Sequence, residues 1–168
     1  MTISQSLLGE FDQEMAGTRK TLERLPDGKF DFKPHEKSPT LGWMANHIAQ
    51  MTHWGAMTCK SDSFDLAAPE NQKRPAEFKS AQEAVAAFDK NTAEFRSALE
   101  QTTDEQMMVP WSLKMGAETF FTMPRIAVLR GMVLNHLIHH RAQLTVYLRM
   151  NGVPVPALYG PSADESGF

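Results

Sequence analysis

The sequence has a single cysteine, Cys59, in 168 residues. An internal disulfide is therefore excluded, and nothing around Cys59 marks a reactive thiol. It reads as a small half-buried residue near a helix end. Such cysteine usage fits a reducing compartment, and the cytoplasm is the expected location. No apolar run approaches the roughly 20 residues of a membrane-spanning helix. The opening "MTISQSLLGE" lacks both the basic start and the apolar stretch of a secretory signal. Positive charge is scarce as well, with 17 Lys and Arg against 20 Asp and Glu. Without a basic run or an RNA-binding motif, no nucleic-acid partner is expected, and no membrane partner either. Fixed-period repeats, low-complexity tracts and long alternating strands are also missing, which removes sheet-based folds.

What is present is helical periodicity, in a length that suits one domain over 1–168. The first segment runs from about Ser4 to Leu25, with Leu8, Phe11, Met15, Leu22 and Leu25 on one stripe, and stops at Pro26 and Gly28. The second is expected to start with Ser38 as cap and Pro39 at the first helical position, and to reach about Lys60. The third spans Ser80 to Gln101, with a seam of Val85, Phe88, Thr92, Phe95 and Leu99. The fourth is expected to open with Thr122 as cap and to close at Asn151-Gly152. The connections 26–37, 61–79 and 102–121 are long, and "WSLKMGAETFF" in the last suits a short extended ribbon. The expected fold is all-α, a four-helix bundle with long connections. The tail 153–168 is expected to lie extended over the bundle. Val153, Val155, Leu158 and Tyr159 make it too apolar to be free, and only "DESGF" at its end is expected to fray.

The histidines carry the functional signal. At about 100° per residue, with His136 at zero on the fourth helix, Leu129, Met132, Val133, Leu144 and Tyr147 form a stripe centred near about 40°. His140 falls at its centre, His136 beside it and His139 on its flank, with Arg141 on the other edge. Each inward histidine could be a core residue satisfied by a carbonyl. Two together need two partners, and a shared metal supplies both. On the second helix His47 shares a face with Met44, Met51, Trp43 and Trp54, whereas His53 does not. His35 lies in a polar loop. The inward set is thus His47, His136 and His140. Three neutral imidazoles and no thiolate suit a divalent ion of intermediate softness, Zn²⁺ or Ni²⁺ first and Fe²⁺ or Mn²⁺ after them. Three protein ligands leave a position open, as catalytic sites do. Gln143 also faces in, either to hydrogen-bond a ligand imidazole or to tie helix to helix. Trp43 and Trp54 either wall a pocket beside the metal or simply pack.

The stretches "LGWMANHIAQMTHW" and "LNHLIHHRAQLTVYLRMNGVPVPALYGPSADE" resemble the DinB family of metalloenzyme-like proteins. The resemblance covers nearly the whole chain; Ala142 stands where the common form has Gly. It implies a four-helix bundle, usually a homodimer, with a divalent metal on three histidines that map to His47, His136 and His140. Some members resemble thiol-dependent enzymes, namely maleylpyruvate isomerases using mycothiol and S-transferases using bacillithiol. In the isomerase branch a Glu replaces one histidine, and this chain keeps all three. The resulting expectation is a metal-dependent enzyme acting on a small-molecule substrate. Its open site would activate water or a low-molecular-weight thiol for transfer or hydrolysis. The alternative is a metal- or small-molecule-binding, stress-related protein without turnover. For a homodimer contact, Ala45, Ala49 and Ala56 offer a strip of small residues on the second helix, opposite the histidine.

Overall fold

A computed structural model describes residues 1–72 and 77–166. Its architecture follows from four long helical stretches, each with a local reason to start. Thr2 and Gln5 form a reciprocal capping box for α1, Ile3–Leu22. Thr40 caps α2, Leu41–Lys60, by accepting from the Trp43 amide. Ser80 caps α3, Ala81–Gln101. The cap of α2 is thus Thr40 and not Ser38. Leu41 and Gly42, at the start of the helix, donate to the carbonyls of Phe32 and Phe30, which ties the preceding turns back onto it. A short helix, α4 (Asp104–Met108), follows α3 with its own capping box.

The 61–79 connection holds β1, Ser63–Asp65, and residues 73–76 of it lie outside the described residues. The expected ribbon exists as a hairpin of β2, Pro110–Met115, and β3, Glu118–Pro124, turning at Gly116 with φ of 61°. β1 joins β2 in parallel, giving a three-stranded sheet of order β1-β2-β3. Thr122 therefore lies inside β3 and caps nothing. The last helical stretch starts with the single turn α5, Arg125–Ala127. It continues as a π-helical segment over Val128–Leu134 and becomes α6 over Asn135–Met150. Asn151 ends it and Gly152 follows at φ of 73°. Arg125 fixes the entry: its guanidinium donates to the carbonyls of Gln106 and Ser61 and pairs with Asp62.

The bundle core is apolar and shared by all four long helices. α3 packs on α1 and α2, and α6 packs on the same two. Phe11 of α1 meets Phe95 of α3 edge to face at 5.0 Å. Phe95 also fills the space over Gly55 of α2, where a Cβ would come within 2.2 Å of its ring. Ala45, Ala49 and Ala56 are fully buried within the protomer, so the strip of small residues on α2 serves the close approach of α3 and not a second copy. No helix among the described residues is long and apolar enough to cross a membrane.

The tail lies against the bundle, as its composition implies. Val153 and Val155 pack on the core, and Leu158 reaches Gly17 of α1. Tyr159 is 62% exposed and docks by its hydroxyl, which donates to Glu14 at 2.8 Å. One expectation for the tail needs correction. Asp164 and Glu165, expected to fray, are anchors: Asp164 pairs with Arg149, and Glu165 pairs with Arg24 and accepts from the Ala157 amide. Gly167 and Phe168 lie outside the described residues.

Candidate metal centre

His47 on α2 and His136 and His140 on α6 converge, and one ring nitrogen from each lies within 4.8 Å of the other two. His35, His53 and His139 stay outside this group. The amide of Lys37 donates to His35, and His139 is exposed with its ring 5.0 Å from that of His140.

The trio sits at the rim of the α2–α6 contact and not at the centre of the bundle. All three are half-buried, while Leu137, Arg141, Leu144 and Leu148 form the buried stripe of α6. Met132, expected to face inward, is 42% exposed. The buried stripe of α6 is itself centred about 110° round the helix from His136, which puts His136 and His140 on its flank and Met132 on its far side. The π-helical segment acts only on what precedes α6. Bonding to the fifth residue back, as the Asn135 amide does to the Arg130 carbonyl, accommodates one extra residue in the turn. That rotates everything before it by about 100° relative to an unbroken α-helix. On α2, an unbroken α-helix, His47, Trp43 and Trp54 lie on the flank of the buried face, with Met44 and Met51 in the core.

The hydrogen bonds orient the rings. His136 donates from Nδ1 to the Met132 carbonyl at 3.3 Å, and His140 donates from Nδ1 to Oε1 of Gln143 at 2.8 Å. Oxygens of these types only accept, so both Nδ1 atoms carry the proton and both Nε2 atoms present lone pairs. Those Nε2 atoms are 2.9 Å apart. Two lone pairs so placed repel unless a cation or a proton lies between them. Burial lowers the pKa of all three histidines, and that of His47, next to the other two, falls to about 4. The rings are therefore neutral at pH 7, which disfavours the proton and leaves a donor set suited to a metal ion. Trp43 stacks on His47 with ring centroids 4.6 Å apart, and Trp54 meets it edge-on at 6.1 Å.

Sequence reasoning missed the group that sets the rotation of α6. Arg141 is 2% exposed; it pairs with Glu14 of α1 at 2.6 Å and donates to the hydroxyl of Tyr159 at 2.5 Å. The available signal was Glu14 itself, a carboxylate set among Phe11, Met15 and Thr18 on the apolar face of α1. Cys59 is half-buried, and burial pushes its thiol up to about 11, as expected of an inert cysteine.

The fold is thus a helical bundle that gathers three imidazoles, aligned by a carbonyl and an amide, in a group that could hold a metal ion. The chain belongs to the DinB family, whose model matches residues 1–167. It is 29% identical over 159 residues to the uncharacterized protein YrdA of Bacillus subtilis, covering 94% of this chain and 89% of that one. A DinB-like protein from Bacillus cereus superposes with a TM-score of 0.72 at 26% identity, covering 94% of this chain and 98% of that one. The DinB-like YjoA of Bacillus subtilis shares the fold with a TM-score of 0.71 at 22% identity, over 90% and 96% of the two chains.

Proposed function

We propose that this protein is a divalent-metal-dependent enzyme whose ion is held by His47, His136 and His140. The observation that carries this reading is the pair of Nε2 lone pairs brought to 2.9 Å by two separately bonded Nδ1 protons. When bound, a divalent ion such as Zn²⁺ or Ni²⁺ supplies a Lewis acid that lowers the pKa of a water or thiol in its open position. The chain's own residues do the rest. The Met132 carbonyl and Gln143 hold two imidazoles in the ligating tautomer. Trp43 covers one side of His47 and limits its motion. The rim position leaves the open side facing solvent, where a low-molecular-weight thiol and a small electrophile can enter. The reaction class is transfer to, or hydrolysis of, that electrophile.

A homodimer is part of the same reading, but the contact surface moves. With the alanine strip of α2 buried in the protomer, the candidate face is the outer side of α6. There Val146 and Met150, one turn apart, are 57% and 54% exposed.

Metal analysis of the purified chain, followed by a screen of electrophiles with several thiols, tests the activity. Stoichiometric metal without turnover of any of them favours a binding protein over an enzyme.

A further inference from the structure

We infer that the cleft beside the three imidazoles takes an uncharged apolar group of the substrate, about the size of one aromatic ring. The inference deepens the metal-site reading and rests on it for the word substrate; the chemistry of the cleft stands without a metal.

The cleft has a volume of about 160 Å³ and lies between α2, the small sheet and the π-helical segment. Trp54, Phe64, Trp111 and Phe121 form aromatic walls, and Val128 and Val133 complete them. A cavity of about 150 Å³ with Leu, Ile and Phe walls accepts benzene and excludes water, which sets the scale of the occupant. Polar groups on the lining are few and mostly spent. The Thr58 hydroxyl donates to the Trp54 carbonyl at 2.8 Å, and the Trp111 indole nitrogen is sealed from solvent without a partner. A charged ligand would shed its hydration here and find little beyond the His136 ring to replace it.

The one ionisable side chain on the lining is His136, so the cleft opens onto the candidate metal centre. Trp54 joins the two. Its ring meets His47 at 6.1 Å on one side and Phe64 at 6.3 Å on the other. A ring held in the cleft therefore places its substituent next to His136. This continuity with the reactive group favours a small molecule over a protein segment as the occupant. The π-helical segment has a direct role in the arrangement, because it supplies Val128, Met132 and Val133 to the cleft just before His136.

The test is a titration of the full chain with toluene, followed by tryptophan fluorescence, since Trp54 and Trp111 form the walls. It is run on metal-stripped and on Zn²⁺-loaded protein, with benzoate as the charged control on the stripped form. The expected result is saturable toluene binding in both forms, with benzoate at least roughly tenfold weaker. Leu113→Trp, which fills the cleft from β2, should weaken toluene by a similar factor with the circular dichroism spectrum unchanged. Leu113→Ala, which enlarges the cleft, should shift preference towards naphthalene and serves if the larger side chain prevents folding. Toluene that fails to saturate in either form, benzoate that binds equally well, or toluene that instead dissociates a dimer would each overturn the assignment. Protein that binds toluene but no metal supports the cleft and overturns the metal centre, so the two readings fail separately.

Discussion

The Nε2 atoms of His136 and His140 face each other at 2.9 Å, one turn apart on the same helix. Gln143, a further three residues along, holds the second ring by accepting from its Nδ1 at 2.8 Å. Removing this acceptor tests whether it aligns a ligand or merely decorates the surface. Gln143→Leu should weaken metal binding by about 10–100-fold, as loss of such outer partners does. Gln143 is exposed, so the melting temperature of the metal-free protein should hardly change. Competition with a chelator of known affinity measures the first quantity. Unchanged affinity would remove Gln143 from the site.

Arg141 and Glu14 bind α6 to α1 inside the bundle, at 2% and 7% side-chain exposure. Arg141→Met strands the Glu14 carboxylate in an apolar setting and should cost about 3–5 kcal/mol of stability in urea unfolding. Arg141→Met combined with Glu14→Leu should recover much of that, because two apolar side chains leave no orphaned charge. A double variant as unstable as the sum of the singles would show that the two residues act independently.

The tail offers a pH-dependent contact. Arg149 holds the Asp164 carboxyl below the usual carboxylate range, and the Ala157 amide followed by Arg24 does the same for Glu165. A lowered folded pKa means that docking is favoured above the ordinary values and lost as pH falls through the lowered ones. The tail should therefore stay docked from pH 7 down to about 5 and loosen only below about 4. Amide resonances of residues 153–166 followed through an acid titration check this. Release between pH 5 and 7 would contradict it. Deleting 153–168 should lower the melting temperature, with the three histidines still able to bind metal.

The outer face of α6 is the expected site of self-association. Val146→Glu together with Met150→Glu should convert a dimer into a monomer in light scattering at micromolar concentration. A wild-type chain that is already a strict monomer would refute the homodimer.

Much of the site was legible in the sequence, because an i, i+4 pair and a third histidine at a matching phase constrain one another. His47, His136 and His140 converge, though at the rim and not on the inward stripe, and the extended ribbon forms as a hairpin. The exact facing of the helices was not legible. The apolar residues alone centred the stripe on His140, beside His136, whereas the buried face of α6 runs through Leu137, Arg141, Leu144 and Leu148 and leaves Met132 exposed. Arg141 looked like an edge residue because a charge is buried only where a partner waits, and Glu14 lies 127 residues away in the chain. The alanines of α2 were ambiguous for a related reason. Small side chains suit both an exposed helix surface and a tight crossing, and it is Asn91 of α3, donating to the Ala49 carbonyl at 3.0 Å, that shows α3 against that face. The parallel pairing of β1 with β2 rests on three residues in a polar connection, too few for alternation to register.

The central claim is that the three imidazoles hold one divalent ion. Its most direct test is equilibrium dialysis of the full chain against Zn²⁺ and Ni²⁺, followed by elemental analysis. The same measurement is made on His47→Ala, His136→Ala and His140→Ala. The account predicts one tightly held ion per wild-type chain. Each variant should fall to a small fraction of that at the same free metal concentration, with its helical content intact. A wild-type chain that takes up neither ion, or three folded variants that bind as well as the wild type, would contradict it.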